Sequence, residues 1–156
     1  VKENKCGICH DPHVSKNKGL LKIEEAKLCF QCHKNIEEKI SQSKFLHKPV
    51  KDGSCVGCHA AHAAEYPGLI NKNIADQCGS CHQKNQKGYK YSHQPYVKGR
   101  CNFCHDPHGA SNADLTKKSA PFLCLQCHKE EDKLKKRHFD KNPSESKRKI
   151  TSSKKE

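Results

Sequence analysis

Cys101-Asn102-Phe103-Cys104-His105, followed after eighteen residues by Cys124-Leu125-Gln126-Cys127-His128, decides what kind of interior this chain can have. Each pentapeptide carries two thiols three residues apart and an imidazole directly after the second. The same doubled pattern stands at Cys6, Cys9 and His10 with Cys29, Cys32 and His33, and again at Cys55, Cys58 and His59 with Cys78, Cys81 and His82. The first cysteines of each pair are 23 residues apart in all three copies, and together the copies use all 12 cysteines of the 156-residue chain.

Composition says that such a chain cannot fold on aliphatic side chains alone. Leu, Ile, Val and Phe number 26 of 156 residues while 30% are charged, and a highly charged chain with under roughly 20% of these residues reads as disordered unless something else fills it. The 12 Cys and 12 His, with no Met and no Trp, name the filler. Cys-x-x-Cys-His is the attachment signature of c-type haem. Two cysteines about one helical turn apart can each form a thioether to a vinyl group of the macrocycle, and the next residue then lies under the iron. His10, His33, His59, His82, His105 and His128 are therefore the expected proximal ligands. Structural zinc and disulfides also use Cys-x-x-Cys pairs, but neither explains a histidine after every second cysteine. Thioredoxin-like chemistry would need one such motif in a βαβ setting.

Removing the proximal set leaves His13, His47, His62, His93, His108 and His138, one for each of six haems. Without Met, the His/Met ligation that raises cytochrome potentials is unavailable. Two histidines at every iron, suited to passing single electrons at low potential and leaving no open position for a substrate, are the expectation.

The doubled motifs recur at 49 and then 46 residues, so the chain reads as three tandem dihaem repeats, 1–46, 47–92 and 93–138, followed by a polar basic tail over 139–156. The repeats share a His three residues past the first motif (His13, His62, His108) and a Leu fourteen past the first Cys (Leu20, Leu69, Leu115). The second and third also open alike, with His47-x-Pro49 and His93-x-Pro95 ahead of Gly53 and Gly99. Over residues 4–138 the sequence resembles the doubled Cys-x-x-Cys-His family of multihaem c-type cytochromes.

Spacing gives a first ligand assignment. His13 is too close along the chain to His10 to reach the far face of the same haem, so it is expected at the haem on Cys29 and Cys32. By the same rule His62 is expected at the haem on Cys78 and Cys81, and His108 at the haem on Cys124 and Cys127. Tetrahaem cytochromes of the c3 type look similar in using a His eight residues before a motif for that motif's own haem. That resemblance implies His47 for the Cys55/Cys58 haem and His93 for the Cys101/Cys104 haem. His138 and the haem on Cys6 and Cys9 then remain, at opposite ends of the sequence. His138 can cap that haem in a neighbouring subunit, giving a head-to-tail homopolymer, or by folding back within one molecule.

The net charge of +13 would suggest nucleic acid or an anionic surface for a bare polypeptide. Six haems bring about two propionates each and lower it to near +1. The lysines then read as propionate partners and solvating surface, and with sparse aromatics no nucleic-acid role is expected. No apolar run approaches the roughly 20 residues of a spanning helix. In the resembling family haem attachment follows export, which implies a mature chain in the periplasm or outside the cell. The fold class expected is mostly irregular backbone, with a few short α-helices wrapped on haems and almost no sheet. Helices are expected over 22–43 and 129–137 and disorder in the tail.

The function these readings imply is electron transfer along a chain of six haems, with other redox proteins as partners and no enzymatic activity. The resemblance extends to the subunits of extracellular cytochrome filaments. A soluble periplasmic shuttle between a quinol oxidase and a terminal reductase is the alternative. A multihaem reductase would need an open or Lys-supplied iron, and every motif here ends in His.

Overall fold

The computed structural model describes residues 5–83 and 90–128. Two compact units divide the chain, Val1–Lys117 and Lys118–Glu156, and each is taken by itself. The expected helix over 129–137, His138 and the tail lie outside the described residues.

Among the described residues, regular structure is confined to short helices and 3-10 turns, and strand pairing to isolated bridges. The chain is mostly irregular, as its composition predicts. No described apolar side chain is buried, and Ile8, Val14 and Phe103 are each more than half exposed. Helices of four to nine residues are marginal in water by themselves.

The helix expected over 22–43 is two helices, α1 (Glu25–Phe30) and α2 (Lys34–Gln42). The break is the second motif itself. His33 leaves helical backbone at φ −98°, ψ 54°, while the Cys32 and His33 N–H groups still donate to the Cys29 carbonyl at 3.2 and 3.0 Å. A uniform 3.6-residue pattern in sequence cannot register one residue turned out of the helix to present its ring.

After each first motif the chain makes the same excursion and returns. Asp11 N–H donates to Leu20 O and Lys22 N–H to Cys9 O at 2.8 and 2.9 Å. Ala60 and Asn71 repeat this with Leu69 and Cys58, and Asp106 and Lys117 with Leu115 and Cys104. At the tip two successive residues take positive φ: Gly19 and Leu20, Gly68 and Leu69, Asp114 and Leu115. Glycine adopts this conformation freely, but a leucine there costs roughly 1–2 kcal/mol. The shared Leu fourteen residues past the first Cys therefore marks a strained tip, repeated three times.

Successive repeats are joined by a second shared device. His47 caps α3 (Lys48–Lys51) and His93 caps α5 (Gln94–Val97), each with Pro in its first turn. Gly53 and Gly99, at φ +73° and +66°, end those helices just ahead of the next motif. Helix α1 of the first repeat docks on the second: Val56 N–H donates to the Glu25 carboxylate at 2.8 Å, and Ala26 lies against Gly53. Likewise α4 (Ile74–Gly79) packs on the Cys101–Phe103 turn of the third.

Candidate haem-binding sites

The six pentapeptides fold alike. In each, the histidine N–H donates to the carbonyl of the first cysteine, at 2.9 Å for His82 and 3.0 Å for the other five. That bond closes one helical turn, and positions i, i+3 and i+4 of such a turn share a face. Two thiols and one imidazole are thus presented together, the donor set that a doubly thioether-linked haem requires. No disulfide joins any of the twelve cysteines.

In the first motif of each repeat the ring is also oriented from behind. His10 Nδ1 lies 2.7 Å from Gly19 O, His59 Nδ1 2.8 Å from Gly68 O, and His105 Nδ1 2.7 Å from Asp114 O. A carbonyl only accepts, so Nδ1 carries the proton and Nε2 keeps its lone pair for iron. The strained tips supply those carbonyls, which is what the repeated positive φ accomplishes.

Three non-motif histidines stand against motif histidines, two of them from a different repeat. Ring centroids of His10 and His62 are 5.9 Å apart, those of His47 and His82 5.8 Å, and those of His59 and His108 6.0 Å, with planes within 31°, 24° and 9°. Every pair joins one motif histidine to one non-motif histidine. Two metal–imidazole bonds of about 2.0 Å each, with the half-rings behind their nitrogens, put centroids roughly 6 Å apart. The residues therefore fit a haem iron held between them. Burial pushes His47 toward the neutral form, and His82 adds to this. Burial pushes His108 the same way, against the pull of Asp106 and helped by His59 and Lys39. A neutral imidazole is the form that binds metal.

These pairings differ from the spacing-based assignment. His62, expected with His82, stands beside His10. His47, expected with His59, stands beside His82. His108, expected with His128, stands beside His59. His62 thus takes the place beside His10 that was expected for His138, which lies outside the described residues. His13 does not meet His33: its side chain is 91% exposed and touches Asp11. The physical reason is long-range. The loop of His108 is drawn back onto the first repeat by the Lys39–Asp106 ion pair. Paired backbone bonds between Phe45 and Ala110, both 2.9 Å, hold it there.

One junction between motifs was not foreseen. The Cys29 and Cys55 thiols, from different repeats, lie close enough to perturb each other. Burial raises the Cys29 pKa, and burial together with Cys29 pushes Cys55 up to about 11. Thioether positions of the second and third motifs thus adjoin.

The motif thiols and imidazoles stand in single turns, and among the described residues no three or more His, Cys, Asp or Glu side chains converge as a metal-ion cluster. Turns of this kind, repeated along one chain, define a multihaem c-type cytochrome, a class that transfers electrons. The Doubled CXXCH motif family model matches at residues 1–38, 47–87 and 93–133, and the chain belongs to that family. No curated protein matches it. The matches imply covalently bound c-type haems at up to six sites. No described helix is long and apolar enough to cross a membrane.

Proposed function

We propose that this chain carries single electrons along six c-type haems, each iron held by two histidines, as a subunit of an extracellular conductive filament. The observation that carries the reading is the set of three histidine pairs at 5.8–6.0 Å, each made from one motif and one non-motif ring. A haem iron so held supplies reversible one-electron chemistry at low potential without an open position. The chain's own residues do the rest. The tip carbonyls of Gly19, Gly68 and Asp114 fix ring tautomers, and burial keeps His47 and His108 neutral. The Cys29–Cys55 contact brings neighbouring attachment points together across a repeat boundary.

The filament part of the reading is supported by the way repeats join. Each described junction is heterologous, a second-motif helix of one repeat lying on the first-motif end of the next, as α1 does at Gly53 and Val56. Heterologous contacts that do not close on themselves extend indefinitely. Export and the use of other redox proteins as partners go with this reading.

Intact mass and absorption spectra of the purified holoprotein test the haem part. The expected result is six covalent haems, all low-spin in the assembled state, with no ready carbon monoxide binding. A mass near the bare 17.6 kDa would overturn it. Electron microscopy tests the assembly: discrete particles in place of filaments would favour the periplasmic shuttle.

A further inference from the structure

Two of the three histidine pairs are one relation used twice. His62 lies three residues past the first motif of the second repeat and stands beside His10, the first-motif histidine of the first repeat. His108 lies three past the first motif of the third repeat and stands beside His59, the first-motif histidine of the second. The donor always comes from the following repeat.

His13 and His105 are the two halves of this relation that meet no such partner among the described residues. His13 is built as a donor. Asp11 accepts its backbone N–H at 3.0 Å, as Asp106 accepts that of His108 at 3.1 Å. Residues 9–13 and 104–108 are the same Cys-His-Asp-Pro-His. His105 is built as an acceptor, its Nδ1 tied to Asp114 as His10 and His59 are tied to Gly19 and Gly68. Exposed apolar side chains stand close by in sequence: Val14, 74% exposed, next to His13, and Phe103, 52% exposed, in the motif of His105.

We propose that His13 of a second copy of this chain is the second ligand of the haem on Cys101, Cys104 and His105. The proposal rests on the two-histidine reading above. Of the three first-motif histidines, His10 and His59 already have donors, so His105 is the seat that a His13 loop fits. A donor in the first repeat and an acceptor in the third make a heterologous contact between copies. The junction between copies then repeats the junction between repeats, and electrons cross it on haems bound the same way.

The test is His13→Ala in the full-length holoprotein, with His62→Ala as its control. Expected for His13→Ala is intact mass unchanged in haem count, one iron in six turned high-spin and open to carbon monoxide, and loss of polymers. Added imidazole should return that iron to low-spin without restoring polymers, which a merely structural defect would not do. His62→Ala should turn one iron high-spin while polymers persist. If His62→Ala leaves every iron low-spin, the two-histidine reading itself fails. If His62→Ala behaves as expected but His13→Ala keeps six low-spin irons and its polymers, only the exchange between copies is overturned. A wild type that stays monomeric at high concentration with six low-spin irons overturns it too, because the ligand then comes from within one chain.

Discussion

The loop at His13 and the loop at His108 share five consecutive residues and the same capping aspartate, yet one is open and the other covered. The His13 side chain is 91% exposed and that of Asp11 41%, against 31% and 16% for His108 and Asp106. Local sequence therefore sets the turn, and what lies across from it sets the role. Asp106 meets Lys39, Ala110 pairs with Phe45, and Gly109 fits against Ser43 and Leu46. For the first loop, none of these contacts has a counterpart among the described residues.

The largest expected effect comes from removing the covered ring. His108→Ala should turn the iron on Cys55 and Cys58 high-spin in the isolated chain, whereas His13→Ala should leave that iron untouched. Site-specific labelling of the altered haem decides between this pairing and the one expected from spacing, which would place the change at Cys124 and Cys127. His138 supplies a companion experiment. Carrying the His47–His82 relation forward by two repeats assigns it the haem on Cys29 and Cys32 of the next copy. His138→Ala should then alter that iron and spare the one on Cys6 and Cys9.

A smaller effect separates the loops by shape. A Cβ at Gly109 would stand 2.6 Å from Ser43 Oγ and 2.9 Å from a Leu46 methyl, so Gly109→Ala should cost about 1–3 kcal/mol by overpacking. Val14 holds the equivalent position in the open loop and is 74% exposed. Val14→Ala should change the stability of the monomer by less than about 0.5 kcal/mol. Thermal unfolding of dilute holoprotein checks both, and equal losses would mean that the loops are not differently seated.

What could be read in the sequence, and what could not, divides along the same line. The motif turns, the strained tips and the entry helices repeat every 46 or 49 residues because each is closed by contacts within a repeat. Counting cysteines, histidines and shared Leu and Gly positions marks where they recur, although the sequence reading expects loops where α3 and α5 form. The pairing of His108 with His59 depends on Lys39 meeting Asp106, 67 residues away. Nothing in the spacing of His108 from its own motif encodes that. The likeness to c3-type cytochromes points elsewhere at His47 for the same reason: its own motif begins eight residues on, but the fold carries its ring beside that of His82. The helix broken at His33 shows the converse, a local departure dictated by the ring that has to face a haem.

The smallest expected effect is electrostatic and carries a pH signature. Burial alone would raise the Asp106 pKa, but the hydrogen bond from Lys39, the His108 N–H and the nearby positive charge hold it below the ordinary carboxylate value. A carboxyl lowered by folding stabilises the fold above its unfolded pKa of about 3.9, and that contribution is lost as pH falls through the lower folded value. Lys39 is 45% exposed, so solvent screens the pair and Lys39→Ala should cost only about 0.5–1 kcal/mol near neutral pH. The difference from wild type should stay flat from about pH 5 to 7, shrink below about pH 4, and narrow in high salt. Lys39→Ala should leave His13 untouched while loosening the seat of His108, so the iron on Cys55 and Cys58 should bind carbon monoxide more readily. If the variant instead loses stability equally at pH 3 and pH 7, Lys39 holds the loop by packing its methylenes and not by charge. The contrast between the two loops would then be one of shape alone.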